Sequence, residues 1–300
     1  MIAILSRNTP LAGLVLLTMG AIGLHEVGIL VNSPALTATI SALLLVFGLP
    51  HGSFDLAILR RADPSGLQRW SRTGIVLLYL GFAAAMYLVW RAEPVLALAS
   101  FLVLATAHFA EDWDDCGSGF MAAGIAAGIV TAPALFHGAA LRSLFVLLTG
   151  DTAAAVIADV MLLVAPIACA VALVGLGILW QAGRRRAAVS AACALAATLL
   201  LPPVPGFALF FCLVHSPMQF RRHADSLALR GFGQWGRIVV PLSLGGLGIA
   251  AAVLVLNNNA SLATGVFAGS FMTLSILTVP HMLVPIVAGL WAPGRQPGVC

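Results

Sequence analysis

The sequence predicts an all-α, polytopic integral-membrane helical bundle of about eight to ten transmembrane helices, and three observations predict it. Of the 300 residues 61% are hydrophobic and only 9% charged, whereas about a quarter of the residues of a soluble domain carry charge. Mean hydropathy is +1.04. Apolar runs of about 20 residues, the length that crosses a bilayer, follow one another with short connectors rich in arginine, proline and glycine. These runs consume the chain, so residues 1–300 are read as one transmembrane domain.

Turn signals divide the runs in order. The first helix, near 10–31, follows Arg7; no small-x-small cleavage pattern follows His25-Glu26-Val27, so it is read as a retained span. The second, 35–59, starts behind Ser33-Pro34 and stops at Arg60-Arg61. Helices at 74–91 and 95–113 are separated by Arg91-Ala-Glu-Pro94. The segment 119–148 is interrupted by Pro133, His137, Gly138 and Arg142 and reads as a span with a re-entrant piece. Helices at 152–182, 187–201, 206–220, 237–256 and 262–291 follow, punctuated by Arg184 to Arg186, Pro202-Pro203, Arg221-Arg222 and Asn257 to Asn259. No 20–50-residue repeat is evident. Gly124-x3-Gly128 and the glycines at 245, 246 and 248 read as places where helices approach closely.

All 15 basic residues are arginines. Without a lysine the chain cannot hold retinal as a Schiff base or use a P-loop lysine, and the basic excess is a topology signal. With ten spans, 13 arginines fall on one side and only Arg91 and Arg142 on the other. The positive-inside rule then places the chain in the cell inner membrane with both termini cytoplasmic. Cys116, Cys169, Cys193, Cys212 and Cys300 form no CxxC pair and read as small core residues. Trp90, Trp180 and Trp291 read as interfacial anchors, and Asp114 and Asp115 as a solvated loop.

An ionisable group inside a bilayer costs a few kcal/mol unless it is paired or lines a cavity, so the histidines are informative. On this topology His51, His108, His215 and His281 lie in the cytoplasmic halves of four helices, at a shared depth. His25 and His137 lie toward the opposite face. His223 sits beyond the last apolar turn, about 12 Å along the helix from His215. His51 and His108 each begin a His-x3-Asp pattern, with Asp55 and Asp112. A carboxylate one turn away can orient a metal-bound imidazole, its own or a neighbouring helix's. Pro50 and Pro280, each just before a histidine, free a carbonyl and bend the helix.

Four histidines at one depth point to a metal site, and imidazole ligation suits iron, copper or zinc rather than magnesium or calcium. Cys212, one turn before His215, reads mainly as packing. His25-Glu26 opens a zincin pattern, but Ile29 stands at the second histidine position. The His-x3-His and His-x2-His-His boxes of membrane desaturases are absent. A bis-histidine haem stays open, though it leaves the aspartate companions unexplained.

Pro50-His-Gly-Ser-Phe-Asp55, Ala107-His-Phe-Ala-Glu-Asp112, Val214-His-Ser-Pro217 and Val279-Pro-His-Met282 together resemble the Brp/Blh family of integral-membrane β-carotene 15,15'-dioxygenases, from about residue 45 to 285. The resemblance implies non-haem Fe(2+) on four histidines and cleavage of the central double bond of β-carotene by O2 into two retinals. Carried over, the first three ligands are His51, His108 and His215. The family's third motif resembles His-Ser-x-Arg-His, whereas this chain has Met218 and then Gln219 at the ligand position; Ala110 replaces a usual glycine in the second. The fourth ligand is thus Gln219 through its amide oxygen, or His281, or the site has three histidines or has lost iron.

A carotenoid is a hydrocarbon rod dissolved in the membrane, so its enzyme needs an apolar tunnel opening to lipid, with specificity set by shape. Phe54, Phe109, Phe207 and Phe211 are the candidate lining. Two other readings stand beside this one: a diverged family member with a different substrate or no activity, signalled by Gln219, and a transporter or metal carrier using the same histidines. The expected partners are a carotenoid, O2, the lipid bilayer and a downstream opsin that accepts retinal, with no nucleic acid.

Overall fold

Each apolar run folds as a helix, and the prolines and glycines mark where one helix gives way to the next. A computed structural model of the protein describes residues 11–30, 33–62, 72–229, 231–257 and 261–290. In chain order the helices are α1 (Leu11–Glu26), α2 (Pro34–Gly52), α3 (Asp55–Ala62), α4 (Arg72–Ala92), α5 (Pro94–Ala110), α6 (Gly119–Thr131), α7 (Pro133–Thr149), α8 (Ala155–Gln181), α9 (Arg185–Leu200), α10 (Pro203–Phe210), α11 (Ser216–Ser226), α12 (Phe232–Asn257) and α13 (Leu262–Leu290). A 3₁₀ segment, Glu111–Cys116, follows α5, and a π turn, Phe211–His215, joins α10 to α11. No strand occurs among the described residues, and the protein is a polytopic helical membrane bundle. Arg7, Arg69, Arg230, Trp291, Arg295 and Cys300 lie outside the described residues.

The number of spans differs from the sequence expectation. Among the described residues six helices are long and apolar enough to cross a membrane, or seven if α6 and α7, bent by 50° at Ala132, form one broken span. The shortfall from eight to ten has local causes. Helices α1 and α9 are 16 residues each, and α9 opens on arginines; the chain from Pro203 to Ser226 is divided by its π turn into pieces of 8, 5 and 11 residues. The ten spans from which both termini were placed on one side are therefore not reproduced by length and apolarity among the described residues. The interruption expected in 119–148 is the α6–α7 bend, with Pro133 starting the new helix where its missing N–H costs nothing.

Large apolar side chains face outward along the long helices, such as Leu163, Ile167, Leu77 and Val255, which is the surface a lipid solvent requires. Inside, the packing depends on small residues. A Cβ on Gly128 would lie 2.8 Å from Ala172 Cβ and 3.1 Å from the Ala168 carbonyl oxygen, so α6 and α8 meet at a distance that only glycine permits. Trp90 corrects its reading as an interfacial anchor: it is 4% exposed, and its indole N–H donates to Ser275 Oγ at 2.9 Å, tying α4 to α13. Trp180 is half exposed beneath the Arg185 guanidinium, as an anchor should be. Arg142 pairs with Asp159 across α7 and α8.

Helices α2, α4, α5, α12 and α13, with the π turn, surround the polar cluster described next. Pro217 cannot donate a backbone hydrogen bond, and the Ser216 N–H reaches back to the Phe211 carbonyl, five residues away. This wider turn rotates His215 inward; such turns recur at functional sites. The Ser216 hydroxyl then donates to the Phe47 carbonyl of α2 at 2.6 Å.

A candidate metal centre at the end of an apolar cavity

Three imidazoles from three helices meet where the structure changes local geometry. The ring centres of His108 and His215 are 4.8 Å apart at an interplanar angle of 82°, and those of His108 and His281 are 4.8 Å apart at 84°. His108 stands between the other two. His51 lies in α2, its side chain outside the described residues, but its neighbour Gly52 comes close to the group: a Cβ there would be 3.7 Å from His281 Nδ1.

Each imidazole faces a carboxylate through Nδ1. Asp112 Oδ2 is 2.8 Å from His215 Nδ1, both side chains being fully buried. Asp55 holds His281 Nδ1 at 2.8 Å from both oxygens. Glu111 Oε2 lies 3.5 Å from His108 Nδ1. A carboxylate only accepts hydrogen bonds, so Nδ1 carries the proton and the Nε2 lone pair is turned the other way. Carboxylate–histidine pairs of this kind orient metal-binding imidazoles.

The aspartates thus pair across the fold, Asp112 with His215 and Asp55 with His281. Helix α2 ends at Gly52, and the turn at Ser53-Phe54 precedes Asp55 at the start of α3; α5 ends at Ala110, and the 3₁₀ turn begins at Glu111. Helical i,i+4 alignment is lost at both breaks, freeing Asp55 to reach α13 and Asp112 to reach the α10–α11 junction.

Gln219 is 1% exposed and belongs to the same group. Its amide nitrogen donates to Asp112 Oδ1 at 2.8 Å; because the carboxylate cannot donate, this orientation is fixed by chemistry. The amide oxygen is left buried with no hydrogen-bond partner among the described residues, a costly state for a polar atom. One aspartate therefore sets two potential donors at once.

At the usual metal–nitrogen distance of ~2.1 Å, a ring centre stands about 3.2 Å from the ion, and two imidazoles bound at right angles about the ion have centres about 4.6 Å apart, whatever the angle between their ring planes. The observed 4.8 Å spacings match this. Among the described residues no group of three or more His, Cys, Asp or Glu side chains is placed to hold a metal ion. Beside the imidazoles the cluster holds one further possible donor, the Gln219 amide oxygen. Cys212 forms part of the core packing, and Asp114 is an exposed partner of Arg222 at 3.7 Å.

Two nearby groups stand outside the set of candidate residues read from the sequence. Glu111 has a signal, standing three residues after His108 and so next to it on a helical turn. His223 is ruled out there by its axial distance from His215, yet its ring centre lies 6.4 Å from that of His281. His215, Gln219 and His223 form a stripe of spacing four along α11, and the cluster extends beyond His215 to meet it. Burial pushes the His223 imidazole down to about 4, and its Nε2 has no hydrogen-bond partner among the described residues. His25 and His137 lie apart from this cluster, as expected, with ring centres 6.1 Å from one another.

A cavity of about 370 Å3 begins at the cluster. His108, His281 and Asp55 line one end, and the wall continues with Tyr79, Phe101, Phe109, Phe207, Phe211 and Leu274. Along α13 the lining runs from Leu274 to His281, about 10 Å at 1.5 Å per residue. Beyond Phe101, Phe109 and Phe207 lies a second, apolar cavity of about 90 Å3. Of the four phenylalanines offered as lining, Phe54 is misplaced: it is fully buried against Phe220 and beside His223 in a separate apolar cluster. The turn after α2 directs it there.

The family description "Beta-carotene 15,15'-dioxygenase" matches residues 42–288. A protein of that name from uncultured marine bacterium 66A03 is 26% identical over 263 residues, covering 81% of this chain and 90% of the relative. No solved structure matches the chain. With most of its length matched, including all four histidine-bearing segments, the chain belongs to the β-carotene 15,15'-dioxygenase family.

Proposed function

We propose that this protein is an iron-dependent dioxygenase that splits the central double bond of β-carotene, or a related carotenoid, with O2 to give retinal. The supporting observation is the meeting of imidazoles, each backed by a carboxylate, with a buried amide oxygen at the end of an apolar cavity. His108, His215, His281 and Gln219, with His51, would hold Fe(2+). When bound, the ferrous ion would supply O2 activation, the one task no side chain here performs.

The remaining work belongs to the chain. Asp112, Asp55 and Glu111 accept from Nδ1 of three imidazoles and fix the rings in direction. Phe109, Phe207 and Phe211 confine the polyene by shape, because the substrate offers no polar handle. The apolar wall excludes water from the reacting bond. The overall change breaks one C=C bond, and each of its carbons takes one oxygen atom of O2. The bundle sits in the inner membrane, from which retinal can pass to an opsin.

Expression in a β-carotene-accumulating bacterium tests this reading. Loss of orange colour with appearance of retinal, and iron in the purified protein, is the expected result; unchanged colour together with an iron-free protein contradicts it. Gln219→His tests the amide as ligand. Imidazole binds iron more strongly than an amide oxygen, so iron retention against a chelator is expected to rise about tenfold. Unchanged retention would show that Gln219 does not ligate.

A further inference from the structure

The 370 Å3 cavity is open on one side. Val76 and Leu80 of α4 and Leu242 of α12 line it and are 41%, 47% and 41% exposed, and Gly245 of α12 is exposed beside them. The opposite wall, at Phe101, Ala105 and Phe109, is buried. Helices α4 and α12 each pack on α13 and make little contact with one another. Both are long and apolar enough to cross a membrane, so the gap between them faces lipid acyl chains rather than water.

The level of this gap is set by three contacts. Ser243, next to Leu242, is 3.1 Å from Ser53, the neighbour of Gly52 beside His281. Gly246 lies against Leu49, one turn deeper, where a Cβ would be 2.9 Å from Leu49 Cδ2. Tyr79 reaches the Leu277 carbonyl of α13. The gap therefore starts at the depth of the histidines and runs inward beside the cavity.

Gly245 has no packing reason to be a glycine. Among the described residues a Cβ there would meet nothing within 4 Å, in contrast to its neighbour Gly246. A glycine in a helix interior costs about 0.5–1 kcal/mol relative to alanine, and here no close helix approach offsets that. What the missing side chain does is leave the gap clear. Resting on the carotenoid reading above, we propose that the α4–α12 gap is the entrance through which the carotenoid slides sideways from the bilayer into the site, and that Gly245 keeps it open.

The test follows carotenoid uptake rather than cleavage. Iron-loaded protein in lipid nanodiscs is mixed under nitrogen with β-carotene in donor vesicles, and binding is read from the shift of the carotenoid absorption bands. Gly245→Trp and Leu80→Trp are expected to slow uptake at least tenfold with iron content and thermal midpoint unchanged. Leu88→Trp, on the same lipid face of α4 but away from the cavity, should stay within twofold of wild type. Uptake at the wild-type rate by both entrance variants would overturn the entrance. Wild-type protein that loads carotenoid but forms no retinal on admitting O2 would overturn the dioxygenase reading and leave the entrance standing. Failure of the wild type to load any carotenoid would overturn both.

Discussion

Asp112→Ala is expected to lower iron affinity by about 10- to 100-fold, the range found when a carboxylate behind a metal-bound histidine is removed. The case is stronger than for Asp55 because Asp112 serves two side chains, His215 through Nδ1 and Gln219 through its amide nitrogen, and all three are buried. Without the carboxylate the imidazole can take either tautomer and the amide can turn its oxygen away. Retinal formation should fall by at least the same factor. Asp112→Asn refines the expectation. One asparagine oxygen still accepts from His215, but its NH2 now opposes the NH2 of Gln219, so the glutamine must rotate. An intermediate loss of about tenfold is expected, with near-normal thermal stability. Iron titration of both variants with equilibrium against a chelator measures this, and affinities equal to wild type would remove Asp112 from the site.

The second large effect comes from a residue with no chemistry. At Gly48 of α2 a Cβ would overlap Phe211 Cε1, and Phe211 in turn stacks on His215 with ring centres 5.3 Å apart and planes 24° from parallel. Gly48→Leu must push Phe211 toward His215 or into the cavity that both line. Overpacking of this kind costs about 1–3 kcal/mol, and the displaced ring should cut retinal formation at least tenfold while the level of the variant protein in the membrane falls less. Adding Phe211→Ala returns the space. The double variant should therefore be more active than Gly48→Leu alone, a non-additive outcome readable by retinal yield and thermal midpoint. Additive losses would mean that the two residues do not share this contact.

How far the sequence carries the argument can be seen in these same residues. Composition and the spacing of turn signals lead directly to a helical membrane bundle, because a bilayer tolerates few alternatives. The histidines stand out because ionisable groups in apolar runs are rare. Their companions are another matter. His-x3-Asp leaves open whether each carboxylate serves its own histidine or a neighbouring helix's, and Asp55 meets His281 and Asp112 meets His215, 226 and 103 residues away along the chain. A helix break just before each aspartate decides this, and only the three-dimensional packing shows where the released carboxylate points. Helix count is less legible still. Short helices such as α1 and α9, and a run divided by a π turn, read as apolar stretches but fall below the length of a clear span.

Some details have no local signal at all. Nothing in the sequence around Phe54 separates it from Phe109; the turn after Gly52 sends one into a satellite cluster while the helix end keeps the other at the cavity. Gly245 and Gly246 look alike, and only their surroundings distinguish a packing glycine from one that leaves an opening. His223 had the right spacing from Gln219, but its closeness to His281 depends on how α11 crosses α13.

The central claim is that iron held by these side chains cleaves β-carotene in this protein. Purified protein in nanodiscs, loaded with Fe(2+) under nitrogen and then given β-carotene and 18O2, measures it directly. The account expects retinal in a two-to-one ratio to β-carotene consumed, labelled oxygen in both products, and loss of both iron and retinal in His215→Ala. Retinal formed at an undiminished rate by iron-free protein or by His215→Ala, or carotenoid left intact by the iron-loaded wild type, would contradict it.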